Sequence, residues 1–323
     1  MLKHLQLRKQ FLAAYKVNKG LDNEQGFVLI TILVAISLLF PIVIAFYGKT
    51  QINLLQAGNF RDTIQAARMA RSGVEGVIGL LRNDDPSYDG KTDTWAMPFP
   101  PLTVGNNEAV VAIVDEESKL NINMIVNKDG KADRNMVDRF KALIERLGGR
   151  PEIVNALIDW IDTDSLVTDP GGAEEGGYES FEYSVKNGPL DTLDELLLVK
   201  GFDKELLFEK GLGKFITVAP TDGKVNINTA PVEILNDLGF REGLVQEIVS
   251  AREKEPFKQL GDAWQVLGVD AKSLPPGIEQ KVKVTSSVFT VRSKGLCGKI
   301  AKEVEATLKR DSAGITIVFW REL

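Results

Sequence analysis

From Phe27 to Phe46 the chain runs for about twenty residues without a charge, enough for one helix to cross a hydrocarbon core. Beyond it the solid run becomes a stripe. Ile52, Leu55, Ile64, Ala67, Val74, Ile78 and Leu81 fall mostly three, four or seven apart, which is the spacing of an amphipathic helix. Asn83-Asp84-Asp85-Pro86 ends it. At 1.5 Å per residue, Phe27 to Arg82 predicts a rod of roughly 84 Å. Pro41, Gly48 and Gly58 are its expected weak points or kinks.

After a Pro-, Asp- and Gly-rich stretch at 86–106, which reads as loop, Glu108–Val114 predicts a strand and Lys119–Ile125 a short alternating one. Helical patterns then come in pairs around glycines: 136–147 with 151–161, 192–199 with 204–210, and 231–238 with 242–254. One more helix is expected over 260–267. Short strands are predicted at 216–218, 224–228 and 282–284, and longer ones at 288–291, 300–309 and 315–320, with a hairpin turn over 310–314. The strand at 108–114 needs the late strands as partners, so the reading is an α+β fold with one sheet and the helices inserted between its strands. The phrases KLNIN at 119 and KVNIN at 224 form a weak internal echo.

Composition narrows the functions. A content of 44% hydrophobic and 26% charged residues is ordinary for a globular protein. A net charge of −6 argues against a non-specific nucleic-acid binder, which needs clustered Lys and Arg. Cys297 is the single cysteine, which excludes an intrachain disulfide and reads as a small buried or half-buried hydrophobe. His4 is the single histidine and precedes the apolar run, so a chain cut after it has no imidazole for triads or acid/base work. No nucleophile elbow or Gly-rich phosphate loop is present, and a hydrolytic carboxylate pair is the one enzymatic reading left; the chain is read as non-enzymatic.

Lys3, Arg8, Lys9, Lys16 and Lys19 stand ahead of the apolar run. The run is too long for a secretory signal, and the small residue Gly26 precedes it instead of following it. Cutting at Gly26 leaves the helix on the mature chain; an uncut signal anchor is the alternative, and the positive leader keeps the N-terminus inside in both cases. A cationic leader, Gly26-Phe27 and an apolar helix resemble a type IV prepilin, in which the fifth residue after the cut is Glu. Here it is Thr31.

Gly26-Phe27, Thr31, LIDWIDTD at 157–164, GGAEEGGY at 171–178, PLDTLDELLLVKG at 189–201 and VNINTAPVEIL at 225–235 together resemble the type II secretion minor pseudopilin K family, over essentially the whole chain. The resemblance implies a type IV pilin-like fold, a long N-terminal transmembrane helix packed on an antiparallel sheet, with a large inserted all-α domain of helical-hairpin modules. It divides the chain into a leader (1–26), the transmembrane half of the helix (27–46), a first pilin-like part (47–124), the inserted domain (125–280) and the C-terminal strands (281–323). The inserted domain holds modules at about 125–215 and 229–272, joined by 216–228. The resemblance also implies cleavage after Gly26 and methylation of Phe27 by the prepilin peptidase, and a single pass of the bacterial inner membrane with a periplasmic soluble part. It further implies a place at the pseudopilus tip beside minor pseudopilins of the I, J and H types and the major pseudopilin. The leader of 26 residues is longer than usual for the family.

Thr31 has a physical logic of its own. In a stack of such helices a buried carboxylate is costly unless paired, and the α-amino group of a neighbouring subunit can pair with it. A top subunit has no neighbour above, and a Thr hydroxyl can bond to a helix carbonyl instead. Losing Glu therefore favours a cap over a repeating subunit.

Residues 162–188 hold seven carboxylates among several glycines. Calcium takes six to eight hard oxygen ligands from such loops, and an ion would order a long irregular segment; a solvated acidic loop is the alternative. The spacing is not that of an EF-hand. Asp159, Asp162, Asp164, Glu174, Glu175, Glu179 and Glu182 are the candidates, and the family resemblance, which implies calcium in the helical domain, singles out Asp159, Asp162, Asp164 and Glu174.

Residues 229–268 also resemble the helix-hairpin-helix modules of membrane-anchored DNA-uptake receptors. Arg241, Arg252, Lys254 and Lys258 would supply a small basic face, while Glu242 puts negative charge where a phosphate would sit; a packing module is the preferred reading. A type IV pilus minor pilin is a further alternative, disfavoured by the helical insertion and by the lack of a C-terminal cysteine pair.

Overall fold

The computed structural model describes residues 2–323 except Glu182 and 270–273, with side chains described from Gly26 onward, Glu242 excepted. The chain forms two units, Met1–Asp62 and Thr63–Leu323. Helix α1 (Leu2–Arg82) begins within the leader and continues without interruption through Pro41, Gly48 and Gly58. In the first unit the apolar residues from Phe27 to Phe46 are exposed, and the helix is long and apolar enough to cross a membrane.

In the second unit five strands form one antiparallel sheet: β1 (Leu102–Val104), β2 (Asn107–Asp115), β7 (Val288–Cys297), β8 (Ile300–Asp311) and β9 (Gly314–Glu322), in the spatial order β1-β2-β7-β8-β9. The later part of the stripe on α1 finds its partner here, whereas Ile52, Leu55 and Ile64 are exposed. Ala70, Val74, Val77, Ile78 and Leu81 pack on Phe289, Val291, Val304, Ala306 and Leu308 of the sheet. The approach is tightest at Gly295, where a Cβ would strike the helix backbone at Ala66 and Ala70. Only glycine permits that closeness. The sheet confirms the expected pairing of early and late strands, since Ala109 of β2 lies opposite Gly295 of β7. Between these neighbours the chain leaves at Glu116 and returns at Ser287.

The excursion has its own apolar core, from Leu120 to Val284, and it contains two modules of one plan. The first opens with β3 (Leu120–Asn121), passes through α2 (Arg134–Arg146) and α3 (Ile153–Ile161), and closes with β4 (Ile216–Thr217), which pairs parallel with β3. The second opens with β5 (Val225–Asn226), passes through α4 (Val232–Asp237), α5 (Glu242–Lys254), α6 (Leu260–Val266) and α7 (Ile278–Lys281), and closes with β6 (Val282–Lys283), parallel to β5. The sequence echo is the start of each. Asn121 and Asn226 each accept, through the side-chain oxygen, the backbone N–H two residues on. Asn123 then bonds both N–H and C=O of Leu190, and Asn228 both N–H and C=O of Phe257. A nearly buried ion pair, Arg139 Nε to Asp237 Oδ2 at 2.9 Å, joins the modules.

Several expectations change. The excursion is not all-α, because two-residue parallel ladders open and close each module. The strand expected over 119–125 is only Leu120–Asn121; from Ile122 the chain turns into a 3-10 helix that buries Ile122 and Ile125. The helices expected at 192–199 and 204–210 are a 3-10 helix (Leu193–Leu198) and a single π-turn (Glu205–Glu209). Such short stretches cannot nucleate an α-helix alone, and tight turns suffice to bury Leu196, Leu206 and Leu207. The 86–106 loop contains β1 and a 3-10 turn that sets Trp95 edge-on to Phe289, with ring centroids 5.0 Å apart. Strand β7 runs on to Cys297, giving a second hairpin at Gly298-Lys299.

Candidate metal centre

Helix α3 is buried along its whole length, which carries Asp159 into the interior with no exposed surface. An apolar helix with one carboxylate inside needs a partner for that charge. Both oxygens of Asp159 accept the Thr168 backbone N–H, at 3.1 and 3.2 Å. The loop that brings Thr168 back is pinned by Asn155, whose side-chain N–H donates to the Pro170 carbonyl at 2.8 Å. Gly171 has φ +91°, and a side chain there would press on the Glu152 backbone, while one at Gly172 would collide with the Asp159 carboxylate. Gly171 and Gly172 are thus close-approach positions, whereas Gly176 has open space around it.

Asp162 caps α3, its N–H on the Ile158 carbonyl. Asp164 accepts the Leu166 N–H at 2.8 Å. Glu174 starts a short 3-10 turn, its carbonyl accepting from Gly177. These three carboxylates converge, with one oxygen from each within 4.8 Å of the others. Asp162 and Glu174 are buried, and Asp162 Oδ1 and Glu174 Oε1 have no hydrogen-bond partner among the described residues. Nor does any of the three pair with a Lys or Arg there. Burial, followed by repulsion from Asp164 and Asp159, pushes Asp162 up to about 6. Burial and then Asp159, Asp162 and Asp164 push Glu174 up to about 7. Orphaned, mutually repelling oxygens on a positioned loop fit a hard cation.

Of the four singled-out ligands the structure thus gathers three, and places Asp159 as the organiser of the loop, its charge felt by both buried acids. Glu175 and Glu179 are exposed; Glu182 lies outside the described residues. Asn155 was not recognisable in advance, because nothing in the sequence marks which buried amide meets the loop.

A second acidic group, Asp84, Asp89 and Asp93, has a different character. Arg310 enters it, with Nη1 3.1 Å from Asp84 and Nη2 2.6 Å from Asp89, so an internal cation already balances it. In the second module Arg252 is buried and donates to the Ile227 carbonyl at 2.6 Å. It holds the fold and does not join a basic face. At the membrane end Phe27 is 71% exposed, nothing crowds Gly26, and the Thr31 hydroxyl donates to the Phe27 carbonyl at 2.9 Å.

Two family models described as "Type II secretion system (T2SS), protein K" match residues 118–221 and 225–285, together just over half of the chain. Their limits coincide with the two modules. The protein K of Pseudomonas aeruginosa is 28% identical over 257 residues, 74% of this chain and 76% of the relative. That of Aeromonas hydrophila is 24% identical over 314 residues, 89% of this chain and 93% of the relative. Among solved structures, a chain of the GspK-GspI-GspJ complex from the enterotoxigenic Escherichia coli type 2 secretion system shares the fold. Its TM-score is 0.63 at 19% identity, covering 86% of this chain and 99% of that one. With both modules of the excursion matched by its models over just over half of the chain, the chain belongs to the type II secretion system protein K family.

Proposed function

We propose that this minor pseudopilin of the type II secretion system is the tip subunit of the pseudopilus, a pilin-like fold with its two modules as the inserted head. The observation that carries the reading is Thr31, whose hydroxyl is satisfied by the Phe27 carbonyl within its own helix. A Glu there would bury a carboxylate among neighbouring helices and require an α-amino group from a subunit above. Thr needs none. The excursion between β2 and β7 adds the bulk that stops further subunits and lets assembly start from below.

The apolar stretch of α1 from Phe27 to Phe46 is seated in the bacterial inner membrane with the N-terminus cytoplasmic and residues 63–323 periplasmic. The prepilin peptidase cuts after Gly26 and methylates Phe27. The solved E. coli neighbour holds GspK together with GspI and GspJ, and on that basis the I- and J-type minor pseudopilins are assigned as partners here, with the H-type and the major pseudopilin below them. The role is structural, not catalytic.

Asp162, Asp164 and Glu174 are assigned as calcium ligands. A bound calcium ion supplies positive charge to oxygens that otherwise repel one another. Asp159 fixes the Thr168 amide, Asn155 fixes Pro170, and the loop presents the three acids together.

The test of the tip role is Thr31→Glu, alone and combined with deletion of residues 125–215. The expected outcome is loss of the tip position, read by cross-linking to the I- and J-type subunits, and reduced secretion. Unchanged cross-links and secretion in the combined variant would overturn it.

A further inference from the structure

Where the helical excursion leaves and rejoins the sheet, three carboxylates are buried: Asp89, Asp115 and Glu117, at 0%, 4% and 1% exposure. Two of them have a cation. Arg310 Nη2 lies 2.6 Å from Asp89, and Lys283 Nζ lies 2.7 Å from Glu117. Asp115 has none. Its Oδ2 accepts from the Thr229 hydroxyl at 2.5 Å, the Ser286 hydroxyl at 2.6 Å and the Asn226 amide at 3.4 Å, and its Oδ1 from the Glu117 N–H at 2.8 Å. The three side-chain donors belong to β5, to the residues just after it and to the link between β6 and β7. One carboxylate at the end of β2 therefore ties the sheet to both ends of the second module.

We propose that Asp115 is a proton-dependent latch, holding the helical excursion on the sheet most tightly when it carries a proton and loosening as it ionises. The network accepts that proton without losing a bond. A proton on Oδ2 is donated to Thr229 Oγ1, and the Thr229 hydrogen turns to the Asn226 carbonyl, 3.4 Å away. Among the described residues the ionised form has only neutral donors. Glu117, on the same turn, repels it, and Asp89 adds negative charge from the 84–93 loop. Arg310 of β8 is committed to Asp84 and Asp89, and Lys283 of β6 to Glu117 and Asp222. Strand β5 and the 285–287 link bring no charge.

Burial, opposed by the Ser286 and Thr229 bonds, pushes Asp115 up to about 6, against about 3.9 for a solvated Asp. The closed junction thus binds the proton more tightly than an opened one. Closure is favoured below about pH 6 and weakens as pH rises through it. Asp89, pushed up to about 7 by burial against the pull of Arg310, acts in the same direction and is unaltered in the comparison below.

The test is hydrogen exchange of the full chain in detergent micelles, for peptides covering 86–93, 115–121, 225–230 and 282–288. Rates are taken at pH 5.5 and 8.0 and corrected for intrinsic exchange. Protection in the wild type is expected to fall with pH by about fourfold more than in Asp115→Asn. Equal falls in the two proteins overturn the latch. Should Asp115→Asn not fold, Ser286→Ala decides. It removes one donor to the anion, so the fall steepens if the latch exists, and an unchanged fall overturns it.

Discussion

The two modules of the excursion share a frame and differ in which polar groups they leave unsatisfied. Each opens on an Asn-Ile-Asn phrase and closes with a parallel two-residue strand. In the second, Asn228 is 1% exposed and its amide bonds Phe257 and Val284, while buried Arg252 bonds Ile227 and leaves its Nε, like Trp264 Nε1, without a partner among the described residues. In the first, Asn123 is only half-buried, and the loop after α3 gathers carboxylates with orphaned oxygens. The same frame thus leaves orphaned donors in one module and, in the other, orphaned carboxylate oxygens gathered into a candidate cation site.

The frame itself is the part to break first. Asn228→Ala removes a buried amide and leaves Phe257 without partners at N–H and C=O, so a loss of about 3 kcal/mol is expected in urea unfolding of the second unit. Asn123→Ala, half-buried, is expected to cost about half as much; equal costs would mean that the two modules do not differ in how firmly they are closed. Calcium sharpens the contrast from the other side. EGTA is expected to lower Tm by about 5–10 °C, the effect of a ligand at about a hundred times its Kd on a domain of this size. The added exchange should be confined to the 159–178 region. No shift would remove the calcium assignment. Glu174→Gln should abolish that calcium response while raising Tm slightly in EGTA, since it removes a buried repelling charge. The smallest effect is in pH. Asp162 and Glu174 titrate in the folded state near 6 and 7, above their solvated values. The calcium-free protein therefore binds more protons folded than unfolded, and its stability from these groups rises as pH falls from about 7 to about 5. Tm measured in EGTA across that range should show this rise in the wild type and a smaller one in Glu174→Gln.

Much of this organisation was legible in the residues. The uncharged run, the stripe behind it and the alternation at 300–309 predicted α1 and the sheet because burial imposes those periods directly. The acidic cluster was visible as composition, and three of its four proposed ligands do converge. Asp159 stands apart from these three, and the sequence shows its carboxylate but not the Thr168 amide that returns to meet it. The 3-10 and π turns at 193–198 and 205–209 have the apolar spacing of helices, and only their packing decides otherwise. The NIN echo looked too short to matter. Its importance comes from what each Asn reaches across the fold, at Leu190 and Phe257, and no local window contains that information. Arg310 sits in an acidic pocket assembled from residues far behind it in the chain, which no spacing rule could pair.

The register of β2 on β7 has a consequence in time. Strand β2 is made early, yet Val111 finds Ser293, its partner, only after both modules have emerged. Each module can close on its own last strand, β4 or β6, without waiting for the sheet. As the chain is delivered from its N-terminal end, the head is thus able to fold before its base. The stripe on α1 stays uncovered until the final three strands arrive. A chain stopped short of Val288 would present two finished modules on a helix whose apolar face still lacks the strands that cover it.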